Sequence, residues 1–144
     1  MHPTGRAAAL ARTGAALTTA RPPTGPGAIA GFGVRIVAFA VDSLLAIGIA
    51  ILATGPPPGA AYNLVVYLAF LAIELVLVTL AGQTPGMRAA GAAVMTAADG
   101  SKPRLRWVAL RTLLLAAVVP ALVVDGSGRA MHDRAAGTLM VRTR

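Results

Sequence analysis

Two apolar runs, Val34 to Ala53 and Tyr62 to Ala81, are each long enough to cross a bilayer, and each carries one carboxylate, Asp42 and Glu74. A helix of about twenty residues rises about 30 Å, the thickness of the hydrocarbon layer. An acid at mid-membrane costs roughly 2.5 to 3.5 kcal/mol on insertion scales, so both need partners or a task. The first run ends at Gly55-Pro56-Pro57-Pro58-Gly59, which no helix can traverse, and the second stops at Gly82. Tyr62 and Tyr67 sit toward one end of the second run as interface anchors.

Composition agrees with a membrane class. The chain has 144 residues, 56% of them hydrophobic, and a mean hydropathy of +0.72, too apolar for an ordinary soluble domain of this length. With no cysteine, disulfides and thiolate sites are excluded, and with only His2 and His132 as histidines there is no convincing transition-metal cluster and no cofactor is expected. The net charge of +8 comes with few aromatic residues and no recognition helix, so anionic lipid headgroups, not nucleic acid, are the expected counter-charge. Asp125-Gly126-Ser127 opens like a calcium loop but lacks the closing glutamate. There is no phosphate loop with lysine and no Gly-x-Ser-x-Gly elbow, so the chain does not read as an enzyme.

The chain divides into a tail, residues 1–30, and a membrane domain, residues 31–144. The tail is rich in Ala, Arg, Thr, Pro and Gly without periodicity and reads as disordered. Past the second run the composition turns polar, with turn signals at Thr84-Pro85-Gly86 and Asp99-Gly100. Gly91 to Thr96 and Thr138 to Arg142 read as two short strands that pair. A third apolar run, Trp107 to Val124, is short, carries Arg111 and contains Pro120.

The basic residues give an orientation. Arg6, Arg12 and Arg21 lie in the tail, the loop after the first run is uncharged, and the next loop holds Arg88, Lys102, Arg104 and Arg106. Tail and second loop are therefore expected in the cytoplasm. A third full crossing would leave Arg129, Arg134, Arg142 and Arg144 outside, against that bias. Either the third run enters part way and returns, or it spans and leaves a basic external tail. The strand pairing favours the first. In this frame Asp42 and Glu74 occupy one layer, roughly 12 Å and 10 Å from the cytoplasmic helix ends, with Arg35 and Arg111 nearer that interface.

Arg35 and Asp42 in RIVAFAVD, Gly82-Gln83-Thr84-Pro85-Gly86, Arg111 early in the third run, and His132-Asp133-Arg134-Ala135-Ala136-Gly137-Thr138 together resemble the RDD family of small integral membrane proteins, named for an arginine and two aspartates. By position these are Arg35, Asp42 and Asp133. The resemblance covers about Gly31 to Arg142 and departs from the family at Met87, where a lysine is usual. It implies a polytopic membrane protein, with ion or proton transport proposed for some members.

The candidate site is thus an intramembrane charge network of Arg35, Asp42, Glu74, Arg111 and Asp133. A contact between Arg35 and Asp42 would have to reach across two turns, so a partner for Arg35 on another segment is favoured. Ser43 and Thr79 are further hydroxyl partners for the acids, and His132 reads as a surface residue. Two function classes follow. In one, an acid takes up and releases a proton or cation in a cavity built by a homo-oligomer or a membrane partner protein. In the other, the charges are permanently neutralised and the chain is a structural or accessory membrane subunit.

Overall fold

The computed structural model describes residues 21–56, 59–116 and 130–144. Helix α1, Phe32–Thr54, is the first apolar run extended by a turn fraction at each end. It closes with the Gly55 amide donating to the Ile51 carbonyl at 2.9 Å, ahead of the prolines. The second run is helical throughout, as α2 (Ala60–Ala72), a π turn (Ile73–Leu77) and α3 (Val78–Ala81). It ends where expected, at Gly82, whose φ of 72° is a left-handed cap that a side chain would strain. Both long helices, Phe32–Thr54 and Ala60–Ala81, are long and apolar enough to cross a membrane.

The segment after Gly82 holds an element the turn signals did not reveal, a short helix α4, Pro85–Ala90. Thr84 is its N-cap and Pro85 its first residue, the arrangement in which a missing N–H costs nothing. Strand β1, Ala92–Thr96, comes after it. The Asp99 turn is next, with its carboxylate accepting from the Ser101 amide at 3.0 Å and hydroxyl at 2.7 Å. Helix α5, Leu105–Ala116, is the described part of the third apolar run; its remainder and the Asp125 to Gly128 turn lie outside the described residues. A five-residue helix α6, Met131–Ala135, leads into strand β2, Thr138–Arg142.

The two strands pair antiparallel, from Ala92 opposite Arg142 to Thr96 opposite Thr138. The sequence predicts that these two segments pair; the antiparallel sense and the register come from the structure. The end of the N-terminal tail joins the same sheet. Ile29 bridges Val141, the Ala30 amide donates to the Met140 carbonyl at 2.8 Å, and the Arg142 amide donates to the Ala28 carbonyl at 2.8 Å. Residues 1–20 of the tail lie outside the described residues.

Packing is layered. One apolar cluster joins the sheet to the lower turns of the helices through Ala38, Val78, Met87, Val94, Val108 and Met140. A second, of Ala46, Phe70 and Leu115, ties α1, α2 and α5 together further along, with Phe39 set edge-on against Phe70 at 5.3 Å between ring centroids. Between the clusters lies one polar layer. Asp42 is four residues from both Ala38 and Ala46, Glu74 four from both Val78 and Phe70, and Arg111 falls between Val108 and Leu115. Helical spacing thus puts the charges at one height on three elements. Outside these contacts the long helices present apolar side chains to their surroundings, with Leu52 90% exposed and Leu44, Leu64 and Leu80 also exposed. So broad an apolar surface is suited to lipid, not to water.

Candidate functional site

Arg111 enters the polar layer from α5 and is fully buried. Its Nη1 donates to Glu74 Oε2 at 2.6 Å, and its Nε donates to Asp133 Oδ1 at 2.9 Å. The other oxygen of Asp133 accepts from Arg35 Nη1 at 2.5 Å. Arg35 also reaches back with Nε to the Ala30 carbonyl at 3.1 Å. The result is a chain of alternating charge, Arg35–Asp133–Arg111–Glu74, that joins α1, α6, α5 and the π turn. Two positive and two negative charges balance. Each desolvated ion therefore sits against an opposite one, the condition under which burial is tolerable.

Four of the five residues singled out in the sequence belong to this chain, and Asp42 does not. It lies in the same layer, as its distance along the helix predicts, but its partners are neutral. The Thr84 hydroxyl donates to Asp42 Oδ2, and the Gly86 amide donates to Oδ1 at 2.8 Å. Thr84 accepts in turn from the Met87 amide at 3.1 Å, so one threonine both caps α4 and fixes the acid. Gly86 is at this point because nothing larger fits. A Cβ there would collide with the Ala38 carbonyl and would lie 2.6 Å from Asp42 Oδ2. The Gly82-Gln83-Thr84-Pro85-Gly86 motif is therefore a docking device, which presses α4 against the middle of α1.

Two expected partners act elsewhere. The Thr79 hydroxyl donates to the Leu75 carbonyl at 2.6 Å, serving the backbone beside the π turn and not an acid. Ser43 lines an apolar cleft between α1 and α2. His132, expected at the surface, is buried, with Nε2 3.4 Å from Asp133 Oδ1. Burial alone would raise the Asp133 carboxyl, but Arg111, His132 and Arg35 outweigh it and hold the group well below the usual carboxylate range. Thr84 and Met87 were missed as site residues. A threonine before a proline at the start of a short polar segment was the available signal.

The π turn places Glu74. An i→i+5 turn inserts one extra residue into the helix and rotates the downstream turns, and such insertions recur at functional positions. Glu74 is buried and, with Arg35 and Arg111, lines a cavity of about 190 Å³ beside α1. Among the described residues no group of three or more His, Cys, Asp or Glu is arranged to hold a metal ion.

These residues coincide with a known family. The RDD family model matches residues 29–137, most of the chain. The chain belongs to the RDD family. The match begins at Ile29, which bridges β2, and closes at Gly137, the turn before that strand. Membership together with the two long apolar helices points to a membrane protein. No curated protein and no solved structure matched this RDD chain.

Proposed function

We propose that this RDD protein is a non-enzymatic structural or accessory domain of the cell membrane, in which the buried charges are permanently neutralised. The observation that carries the reading is that each buried acid among the described residues has strong donors within the chain. Asp133 is shared by Arg35 and Arg111, Glu74 is held by Arg111, and Asp42 is held by a hydroxyl and an amide. Acids so engaged latch segments together. The polar face around the β1–β2 sheet is then the part available to a partner protein.

The same reading sets topology. β1 precedes the third apolar run and β2 comes after it, yet the two strands are hydrogen-bonded along their length. A chain that leaves and regains one sheet makes an even number of crossings between its strands, so on this reading the third run does not make a single full crossing. Helix α5 covers only about 18 Å, short of the about 30 Å hydrocarbon layer. The strand pairing brings Arg142 and Arg144 to the side of Arg88, Lys102, Arg104 and Arg106, opposite the uncharged Gly55 to Gly59 loop. The conflict with the positive-inside rule disappears, and that side, with the N-terminus, is cytoplasmic.

One observation favours a second reading, proton or cation exchange in an oligomer. Glu74 stands on a π turn and lines a cavity, whereas Asp42 is enclosed by Thr84 and Gly86. Transport through the acid layer would therefore run through Glu74. Proton leak into vesicles containing the full chain and a trapped pH dye separates the readings. The structural reading expects the leak of protein-free vesicles. A faster leak that Glu74→Gln abolishes in a folded protein would establish exchange instead.

A further inference from the structure

The cavity of about 190 Å³ has two chemically distinct parts. Phe32, Ile36 and Phe39 form one stripe of α1, at spacings of four and three, and each is about half exposed. Leu115 and Met140 line it as well. The cavity therefore opens on the apolar face of α1, not on the polar surface around the sheet. Arg35 also lines it, one turn inside the start of the helix. Its Nε and Nη1 are used by Ala30 and Asp133, but Nη2 is buried with no hydrogen-bond partner. A buried guanidinium N–H without an acceptor is costly, and such atoms regularly mark where a further oxygen belongs.

We propose that this cavity is a lipid site, in which a phosphate oxygen of a membrane phospholipid accepts from Arg35 Nη2 and one acyl chain lies along Phe32, Ile36 and Phe39. Depth supports the assignment. Arg35 sits near the helix end, where headgroups lie, while Ile36 and Phe39 lead deeper into the hydrocarbon. Size supports it too. The volume is below the about 300 Å³ of an ordinary small-molecule pocket, and so accommodates headgroup oxygens and the first methylenes of one chain, the rest remaining in the bilayer. Arg35 and Arg111 are balanced by Asp133 and Glu74, and the segment between the second and third apolar runs carries a surplus of positive charge in Arg88, Lys102, Arg104 and Arg106, which favours anionic headgroups. The proposal rests on α1 lying in lipid and is independent of whether Glu74 exchanges protons.

The test uses the full chain in non-ionic detergent, titrated with dihexanoyl phosphatidylglycerol and followed by phosphorus NMR and calorimetry. Dihexanoylglycerol, which lacks the phosphate, and inorganic phosphate, which lacks the chains, are titrated alongside. The expected result is saturable binding of the phospholipid alone, weakened at least about tenfold by Ile36→Trp, which fills the stripe, and by Arg35→Lys, which removes the second donor nitrogen. Ile36→Trp touches no ion pair, so it decides the matter even where Arg35→Lys does not fold. Equal binding of dihexanoylglycerol would make this an apolar groove, and equal competition by inorganic phosphate would make it a free-anion site. Either result, or an Ile36→Trp protein that binds as well as the parent, overturns the proposal.

Discussion

Arg111 meets acids from two different segments, so its removal strands both Glu74 and Asp133 in a buried layer. Arg111→Met should cost about 3 to 5 kcal/mol, the usual penalty for breaking a buried pair. Adding Glu74→Gln to the same chain should recover part of the loss, because the stranded charge is removed with its partner. Unfolding in mixed micelles measures both, and strictly additive losses would contradict the coupling. Asp133 shows the acid side of the same coupling. Its folded carboxyl is held below the ordinary value, so its ion pairs contribute fully above about pH 4 and are lost as pH falls through the folded value. Melting temperatures measured from neutral pH downward should therefore drop in acid, and Asp133→Asn should flatten that limb while lowering stability at neutral pH. The need for arginine partners was legible from charges placed in apolar runs. Which arginine met which acid was not, because Arg35 and Asp133 lie 98 positions apart and nothing local in either segment reveals the other.

At the scale of elements, α1 and α4 meet at Gly86 in a contact that tolerates no side chain. Gly86→Ala should destabilise by about 1 to 3 kcal/mol, as overpacking does. Gly48, on the same helix α1, has open space where a Cβ would go, so Gly48→Ala should be neutral or stabilising by up to about 1 kcal/mol. Thermal unfolding of the two variants side by side checks the contrast. Long helices and the strand pair were readable because each has a clear period or length: two apolar runs, and two short strands of matching size. Helix α4 was not, because six residues carry too little periodicity, and only the Thr84-Pro85 pair announced it. The π turn was equally hidden, since Ile73 to Leu77 has the composition of any apolar helix.

The described residues form a pair of long apolar helices whose lower turns are clasped by a small sheet, with a charged layer between the clasp and the exposed apolar part. The clasp takes its strands from before and after the third apolar run, and the Arg35–Asp133–Arg111–Glu74 chain ties that run's start and the C-terminal segment to α1 and the π turn. Because the chain has no cysteine, single replacements report sidedness cleanly. Ser101 lies in the turn region after β1, Thr143 just past β2, and Gly59 at the opposite end of the long helices, all three exposed. Labelling Ser101→Cys, Thr143→Cys and Gly59→Cys in sealed vesicles with a membrane-impermeant thiol reagent tests the proposed topology directly. The account predicts that Ser101→Cys and Thr143→Cys react from one side and Gly59→Cys from the other; Ser101→Cys and Thr143→Cys reacting from opposite sides would contradict it.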